Sequence, residues 1–178
     1  MALIARAAQD LGLAGLLGGN LFGRLALHPS VTEISDESER GKVVNAAWRR
    51  YGTVNSISLA AVIAGWAGGR GEEAVDPTLA RAKDALVATV ALTGVASAVQ
   101  GMRFAAKAPG GAVPLADGDH VAARAGDDVR SAKRRLNALG ALALAAEIGL
   151  VVVDSALAQQ GLTRRRGLPW PPRPGLRR

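Results

Sequence analysis

The chain contains no cysteine and few aromatic residues, and both absences narrow the classes of protein to consider. Without cysteine there is no disulfide framework, no thiolate nucleophile and no cysteine-based metal site. Aromatic residues make up only 3% of the 178 residues, although apolar residues make up 49%. A water-soluble core of this size normally uses more Phe, Tyr and Trp, because those side chains dominate burial. Runs of Ala, Gly, Leu and Val instead suit helices that approach one another closely in lipid.

Motifs that would indicate an enzyme or a metal site are also missing. The two histidines, His28 and His120, are isolated in the sequence and lack the spacing of zinc ligands. The glycine-rich segments GLLGGNLFG and GWAGGRG follow no predicted strand, so neither is read as a phosphate-binding loop. No serine sits in a nucleophile elbow. The sequence therefore predicts no enzymatic activity, no metal and no cofactor.

Four long apolar runs predict an all-α fold of four transmembrane helices packed as an up-down bundle. A helix needs about 20 apolar residues to cross the hydrocarbon core of a bilayer. The predicted spans belong to one membrane domain of residues 1–161 and cover about 3–27, 53–69, 85–102 and 136–158. A cleaved signal peptide is the alternative for the first run, but that run lacks a small-x-small cleavage site at its end.

Local signals indicate where the helices begin and end. His28-Pro29 is expected to end the first helix. Residues 35–52 are predicted to form a short amphipathic helix at the membrane surface. Asp76 is expected to cap the third helix, with Pro77 as its first residue. The Gly- and Pro-rich loop 105–120 should lack regular structure.

The net charge of +7 lies beside the apolar runs and in a C-terminal tail. Gly161 is expected to end the fourth helix, and the Arg- and Pro-rich tail 162–178 is predicted to be disordered. This distribution favours a bilayer with anionic headgroups as the partner and disfavours nucleic acid. Lys and Arg are almost equally divided between the two sides of the bundle, so the orientation stays open.

Small and aromatic residues are predicted to position the helices. Gly15, Gly19 and Gly23 recur every fourth residue, the small-xxx-small pattern that lets helix backbones touch, and Gly94 is a further packing site. Ordinary small-residue usage in an alanine-rich genome is the alternative. Aromatic side chains that prefer headgroup depth mark the two predicted interfaces. They are Trp48 and Tyr51 at one interface and Trp66 at the other.

The sharpest feature of the sequence is Glu147, an acidic residue near the middle of the fourth span. A charged carboxylate at mid-bilayer costs about 2.5–3.5 kcal/mol on insertion scales, so Glu147 should be protonated, hydrogen-bonded or next to water. An up-down bundle brings it near other polar residues of the spans. The predicted intramembrane line is Arg6, Asp10, Asn20, Thr93, Glu147 and Asp154, with Lys83 on the same side as Asp154. Two interpretations stay open: a proton- or ligand-responsive site, or a neutral Glu147 that joins helices by a hydrogen bond.

Three segments resemble a group of small bacterial membrane proteins with four spans, classed as a domain of unknown function, which has distant eukaryotic transmembrane relatives. The segments are GLLGGNLFGRL, NAAWRRYGTVNSISLAAV and RRLNALGALALAAEIGL. The resemblance covers most of residues 10–158 and implies the four-span topology, but it implies no activity. The chain departs from the group in its low aromatic content and its basic, Pro-rich tail.

Together these features predict a multi-pass protein of the bacterial inner membrane, and the Ala/Gly/Arg-rich composition indicates a high-GC bacterium. The expected role is a non-enzymatic small subunit or scaffold, which binds a membrane-protein partner or a second copy through Gly/Ala helix faces. The first alternative is a proton-coupled or small-solute transport role centred on Glu147. The second is a soluble helical bundle with a nucleic-acid-binding tail, which the long apolar runs disfavour.

Overall fold

The computed structural model describes residues 2–70 and 76–166, with side chains for residues 3–70 and 76–161. Four long helices account for most of this part of the chain: α1 (Ala2–Phe22), α2 (Glu37–Gly69), α3 (Pro77–Ala105) and α4 (Asp127–Arg166). Over the same described residues there is no β-strand, and a single antiparallel bridge joins Leu115 to Val121. The predicted all-α fold with four helices is confirmed.

Two of the helices in the described part of the chain are long and apolar enough to cross a membrane: Pro77–Ala105 and Asp127–Gly161. Only 17% of the most apolar stretch of α3, and 22% of that of α4, is buried inside the protein. Both helices therefore turn most of their apolar surface outward, unlike the core helix of a soluble protein. The first and second spans of the expected four-span bundle do not reach this apolarity and stay a prediction.

The four helices pack as two hairpins. α1 lies along α2 to form the first hairpin, and α3 lies along α4 to form the second; these two pairs have the most extensive contacts. Smaller contacts join α1 to α4 and α2 to α3. An apolar core lies between the hairpins and consists of Leu13, Leu16, Val62, Val87, Val90, Ala146 and Leu150.

The two helices of the first hairpin touch at the level of their backbones. A Cβ atom added to Gly12 would lie 2.5 Å from the carbonyl oxygen of Ser58 and 2.9 Å from the backbone nitrogen of Val62. Near the other end of α2, a Cβ atom added to Gly65 would lie 2.6 Å from the backbone nitrogen of Gln9. Because backbone atoms cannot move aside as a flexible side chain can, only glycine fits at these two positions.

Helix α1 does not end at His28-Pro29, so that expected break is wrong. It continues through a π-helical turn, Gly23–Leu27, a helical turn, His28–Ser30, and a 3-10 turn, Val31–Glu33. A proline ring crowds the carbonyl group four residues earlier in an α-helix. The wider π-helical turn, in which the His28 N–H bonds the Gly23 carbonyl, accommodates the ring.

The separate amphipathic helix expected at residues 35–52 is also wrong, because α2 is one continuous helix of 33 residues. Its first half contains no proline, so the helix propagates from its N-cap, Asp36, into the apolar half. The predicted start of α3 is confirmed: Asp76 accepts a hydrogen bond from the Thr78 N–H at 2.8 Å, and Pro77 is the first helical residue. Helix α4 passes Gly161 and continues to Arg166, whereas residues 167–178 of the expected tail lie outside the described residues.

The loop between α3 and α4, residues 106–126, folds over one end of the bundle and is called the cap. Its regular structure is limited to a short 3-10 turn and the Leu115–Val121 bridge, but it is well packed. Arg40 of α2 fixes the cap by donating to the carbonyl oxygen of Ala116 at 2.6 Å. A second apolar core lies under the cap and consists of Val31, Val44, Phe104, Val113 and Leu115.

We expect Gly12→Ala to lower the free energy of unfolding by about 1–3 kcal/mol, because the added methyl group would collide with the backbone of α2. Gly18→Ala is the matched control on the same helix, since nothing lies within 4 Å of an added Cβ there. That control should be neutral or stabilising by up to about 1 kcal/mol. Thermal unfolding in detergent, followed by circular dichroism, measures both. Equal stabilities for the two variants would contradict the close approach of α1 and α2.

Candidate functional site

Glu147 lies inside the bundle, where α4 faces α1, and is only 2% exposed. The side-chain amide nitrogen of Asn20 donates to both of its carboxylate oxygens, at 2.8 Å to Oε1 and 2.9 Å to Oε2. An NH₂ group placed between two oxygens suits an ionised carboxylate, which only accepts hydrogen bonds. No basic side chain of the described residues forms an ion pair with Glu147.

Two further polar side chains of the bundle belong to α2 and α3. Tyr51 of α2 lies within electrostatic range of the Glu147 carboxylate and donates its hydroxyl to the carbonyl oxygen of Gly15. Thr93 of α3 is buried, but its hydroxyl donates to the carbonyl oxygen of Thr89 at 2.6 Å within the same helix. Asn20 is therefore the hydrogen-bond partner of Glu147, and Thr93 is not.

A second polar group lies two helical turns along α4, at Asp154. Gln9 of α1 donates to its Oδ2 at 2.6 Å, and Lys83 of α3 lies 2.9 Å from its Oδ1. Gln9 and Lys83 are 2% and 4% exposed. This carboxylate thus has a cation beside it, whereas Glu147 has only an amide. The rise of an α-helix places the two groups about 10 Å apart, and apolar residues of the core lie between them.

The predicted intramembrane line is only partly brought together inside the protein. Asn20, Glu147 and Asp154 lie between the helices, but Arg6 and Asp10 lie on the exposed surface of α1. For Asp10 the reason is the helical period, because consecutive residues point about 100° apart and Gln9 takes the inward position. Sequence reasoning missed Gln9, although it lies on the same face of α1 as Asn20.

The glycine face predicted on α1 is occupied by side chains of α2 in the same chain. Because each glycine has no side chain, there is room beside it for one larger side chain of α2. The three pairs are Gly15–Ser58, Gly19–Tyr51 and Gly23–Trp48. Gly94 similarly faces Leu59 of α2, which an added Cβ would approach to 3.2 Å. These glycines join helices within the chain.

The predicted interface residue Trp66 lies at the other end of the first hairpin from Trp48 and Tyr51. Its indole N–H donates to Oδ1 of Asp84 at 2.7 Å, and the guanidinium of Arg70 lies 4.6 Å from its ring centroid. Arg70 also pairs with Asp84, at 2.8 Å. This cluster ties the end of α2 to the beginning of α3.

A buried polar cluster, which sequence reasoning missed, lies where the continuation of α1 meets the cap. The Nδ1 atom of His28 is 3.0 Å from Oδ1 of Asp119, and its Nε2 atom accepts from the indole N–H of Trp48 at 3.3 Å. A neutral His28 with its proton on Nδ1 satisfies both contacts. Lys133, only 5% exposed, donates to the carbonyl oxygen of Gly118. The Asp-Gly-Asp-His sequence of residues 117–120 indicates a turn, but it does not show which helix the turn contacts.

Burial lowers the pKa of His28 below its ordinary value of 6.5. The attraction of Asp119 opposes this change, whereas the positive charges of Lys133 and Arg24 add to it. At mildly acid pH the folded protein therefore binds fewer protons at His28 than the unfolded chain does. The contribution of His28 to stability is present above pH 6.5 and is lost as the pH falls through the lowered pKa of the folded state.

We expect His28→Gln to reduce the loss of thermal stability between about pH 7.5 and pH 5, because a neutral amide does not titrate. His120→Gln is the matched control, since His120 belongs to the cap and is exposed. Melting temperatures measured across this pH range should fall more steeply for the parent protein and for His120→Gln than for His28→Gln. An equal slope in all three proteins would show that His28 is not the group responsible.

In the part of the chain that the structure describes, no group of three His, Cys, Asp or Glu residues is arranged to hold a metal ion. Comparison of the chain with protein-family models, with curated proteins and with solved structures finds no match. The resemblance to four-span bacterial membrane proteins therefore stays a prediction.

Proposed function

We propose that this chain is an integral membrane protein whose four helices all cross the bilayer, and that it acts as a non-enzymatic component of the membrane. The observation that supports this proposal is an inverted distribution of polarity over the middle of the helices. Apolar side chains cover the outside, and polar side chains lie between the helices. Lipid accounts for this arrangement, because apolar surface has no cost there and polar groups must find partners inside the protein.

Every helix contributes to the apolar exterior. Large apolar side chains that are about half exposed or more lie on the outside of all four helices, well beyond the single patches normal for a soluble protein. Examples are Leu11 and Phe22 of α1, Val54 and Ile57 of α2, Leu92 and Val95 of α3, and Leu142, Ile148 and Val152 of α4. The polar side chains buried among the helices at these levels are Gln9, Ser58, Lys83, Thr93 and Glu147.

The positions of the charged residues agree with a bilayer. Residues 52–69 of α2 and 85–102 of α3 contain no charged side chain, and residues 136–153 of α4 contain only Glu147. On α1, Arg24 follows a charge-free stretch, but its guanidinium turns inward and donates to the carbonyl oxygen of Asn137 at 3.4 Å. Each helix can then present about 25 Å of uncharged outer surface to lipid.

The glycine face that was expected to bind a partner is already covered within the chain. Because Gly15, Gly19 and Gly23 are filled by α2, they stabilise the protein itself and are not free for another protein. Any partner subunit or second copy would contact the exposed Leu, Ile and Val side chains of the exterior. We therefore still propose a partner in the membrane, but the surface that binds it is the apolar exterior and not the glycine face.

We expect the protein to stay in the membrane pellet after washing with alkaline carbonate, and single-cysteine variants to map its spans. The chain has no cysteine, so each introduced thiol is the only one. Maleimide should label Ile57→Cys and Leu92→Cys at least about tenfold more slowly than Ala123→Cys, because a thiol in lipid does not ionise. The cap residue Ala123 is exposed and serves as the control.

Two outcomes would contradict the proposal. Release of the chain by carbonate would remove the membrane assignment altogether. Rapid labelling of Ile57→Cys together with slow labelling of Leu92→Cys would show that the second hairpin crosses the bilayer while α2 does not. In sealed vesicles, an impermeant maleimide should label Ala123→Cys and Thr78→Cys from opposite sides, because Thr78 lies at the beginning of α3 and the cap, which contains Ala123, follows its other end.

A second candidate function is proton-coupled transport centred on Glu147. The observation that favours it is the contrast between two acidic residues of α4. Asp154 is paired with Lys83, whereas Glu147 is buried with an amide as its hydrogen-bond partner. A purely structural role would be served equally well by a neutral side chain, since interhelical hydrogen bonds in membranes contribute on average about 0.6 kcal/mol.

For this second candidate, we expect proteoliposomes to dissipate an imposed pH gradient faster than empty liposomes, as measured by a trapped pH-sensitive dye. Glu147→Gln should reduce the rate to that of empty liposomes, because the side chain no longer binds and releases a proton. Asp10→Asn is the control, since it removes an exposed carboxylate of α1. Equal rates for protein-containing and empty liposomes would reject proton transport and leave the membrane-component role intact.

A further inference from the structure

We propose that Glu147 is a proton-controlled joint between the two hairpins, and that protonation of its carboxylate loosens the line of contact between α1 and α4. This line, called the seam, contains the Asn20–Glu147 and Gln9–Asp154 hydrogen bonds. The inference rests on the proposed membrane placement and on Glu147 as the functional group. It adds the movement that a change of charge at Glu147 would control.

Each hairpin is built to move as a unit. In the first, the backbones of α1 and α2 touch at Gly12 and at Gly65. In the second, the absence of a side chain at Gly149 lets Leu86 of α3 pack against α4, because an added Cβ atom would lie 3.1 Å from the Leu86 side chain. Contacts between the hairpins are smaller than contacts within them. Separation along the seam is therefore the movement that disturbs the least packing.

Polar contacts decide how firmly the seam is closed. In lipid, apolar side chains pack nearly as well against acyl chains as against another helix, so apolar contacts give little preference for the closed state. The seam has three polar links among the described residues. The link from Arg24 to the Asn137 carbonyl contains no carboxylate, and the other two differ in chemistry. Lys83 sits beside Asp154 in the Gln9–Asp154 link, so that link contains its own compensating charge. The Asn20–Glu147 link has none, and its strength therefore depends on whether Glu147 is ionised.

Ionised Glu147 holds the seam closed because opening it would leave a bare carboxylate facing lipid. A hydrogen bond to a charged group is about twice as strong as one between neutral partners. After protonation, one oxygen carries a proton, so the Asn20 amide no longer bonds two equivalent acceptors. The remaining bond is between neutral groups, and a neutral carboxylic acid can face lipid at much lower cost.

The other polar groups on this side of the bundle have partners of their own. From α1, Arg24 lies one turn beyond Asn20 and donates to the carbonyl oxygen of Asn137; from α2, Tyr51 donates its hydroxyl to the carbonyl oxygen of Gly15. From α3, Thr93 has no ionisable group. On α4 itself, Asp154 is held by Lys83 and Gln9. His28 lies farther along the path of α1, contacts the cap at Asp119 and also titrates between about pH 5 and pH 8. The Glu147→Gln variant is therefore what assigns a response of the seam to Glu147.

The test measures distances between pairs of spin labels in the full-length chain, in lipid nanodiscs, by pulsed electron paramagnetic resonance. Because the chain has no cysteine, the two introduced cysteines are the only residues that react with the spin label. Phe22 of α1 and Ile148 of α4 are exposed and report on the seam. Leu92 of α3 with Ile148 is the control pair inside the second hairpin. Lowering the pH from about 8 to about 5 should lengthen the seam distance by about 2 Å or more and leave the control distance unchanged.

Variants then assign the response. Glu147→Gln should give the long seam distance at every pH, and Asn20→Leu should likewise abolish the pH dependence by removing the donor. Asp10→Asn should respond as the parent protein does. An unchanged control distance shows that a variant is folded. If either Glu147→Gln or Asn20→Leu is misfolded, the other of the two provides the test.

A seam distance that does not change with pH would overturn the proposal, as would a response that persists in Glu147→Gln. Failure of the membrane assignment would appear separately, as release by carbonate. A chain that resists carbonate but has a pH-independent seam would overturn the joint alone.

Discussion

In the proposed membrane placement, the arrangement of the two hairpins depends on the hydrogen bonds from Asn20 to Glu147. Each hairpin has its own close packing, through glycine at Gly12 and Gly65 in the first and at Gly149 in the second. The apolar core between the hairpins consists of side chains that would also pack well against the acyl chains of lipid. In the proposed membrane placement, the relative position of the hairpins is therefore specified by polar groups, and two of these, Glu147 and Gln9, are each only 2% exposed.

Helix α1 connects all parts of the molecule because it has three distinct faces. Its glycine face receives α2, and its outer face presents Leu11 and Phe22. The third face carries the residues that reach the second hairpin and the cap, at successive levels along the bundle. They are Gln9 to Asp154, Asn20 to Glu147, Arg24 to Asn137, and His28 to Asp119. The π-helical turn after Phe22 lies between the second and fourth of these contacts and lets the helical path continue past Pro29.

Much of the secondary structure could be predicted, because it depends on local chemistry. Long apolar runs and the Asp76-Pro77 start specify helices without reference to the rest of the chain. Partners on different helices could be predicted only where their depth in the bundle determines which residues meet. On that basis Asn20 is expected near Glu147, and Lys83 near Asp154. The cap could not be predicted, because its order comes from contacts distant in sequence, such as that between Arg40 and Ala116. The continuation of α1 past Pro29 was missed because it depends on a π-helical turn, which has no clear sequence signal.

The two apolar cores of the described residues differ in the side chains that surround them. Under the cap, Phe104 and Leu115 are buried while charged side chains such as Asp127 and Arg124 face outward, as in a protein surrounded by water. Over the middle of the helices the order is reversed, with Leu92 outside and Glu147 inside. The cluster of His28, Trp48 and Asp119 lies between these regions and joins them. The proposed placement in a bilayer bordered by water accounts for both arrangements, because the two regions would then meet different solvents.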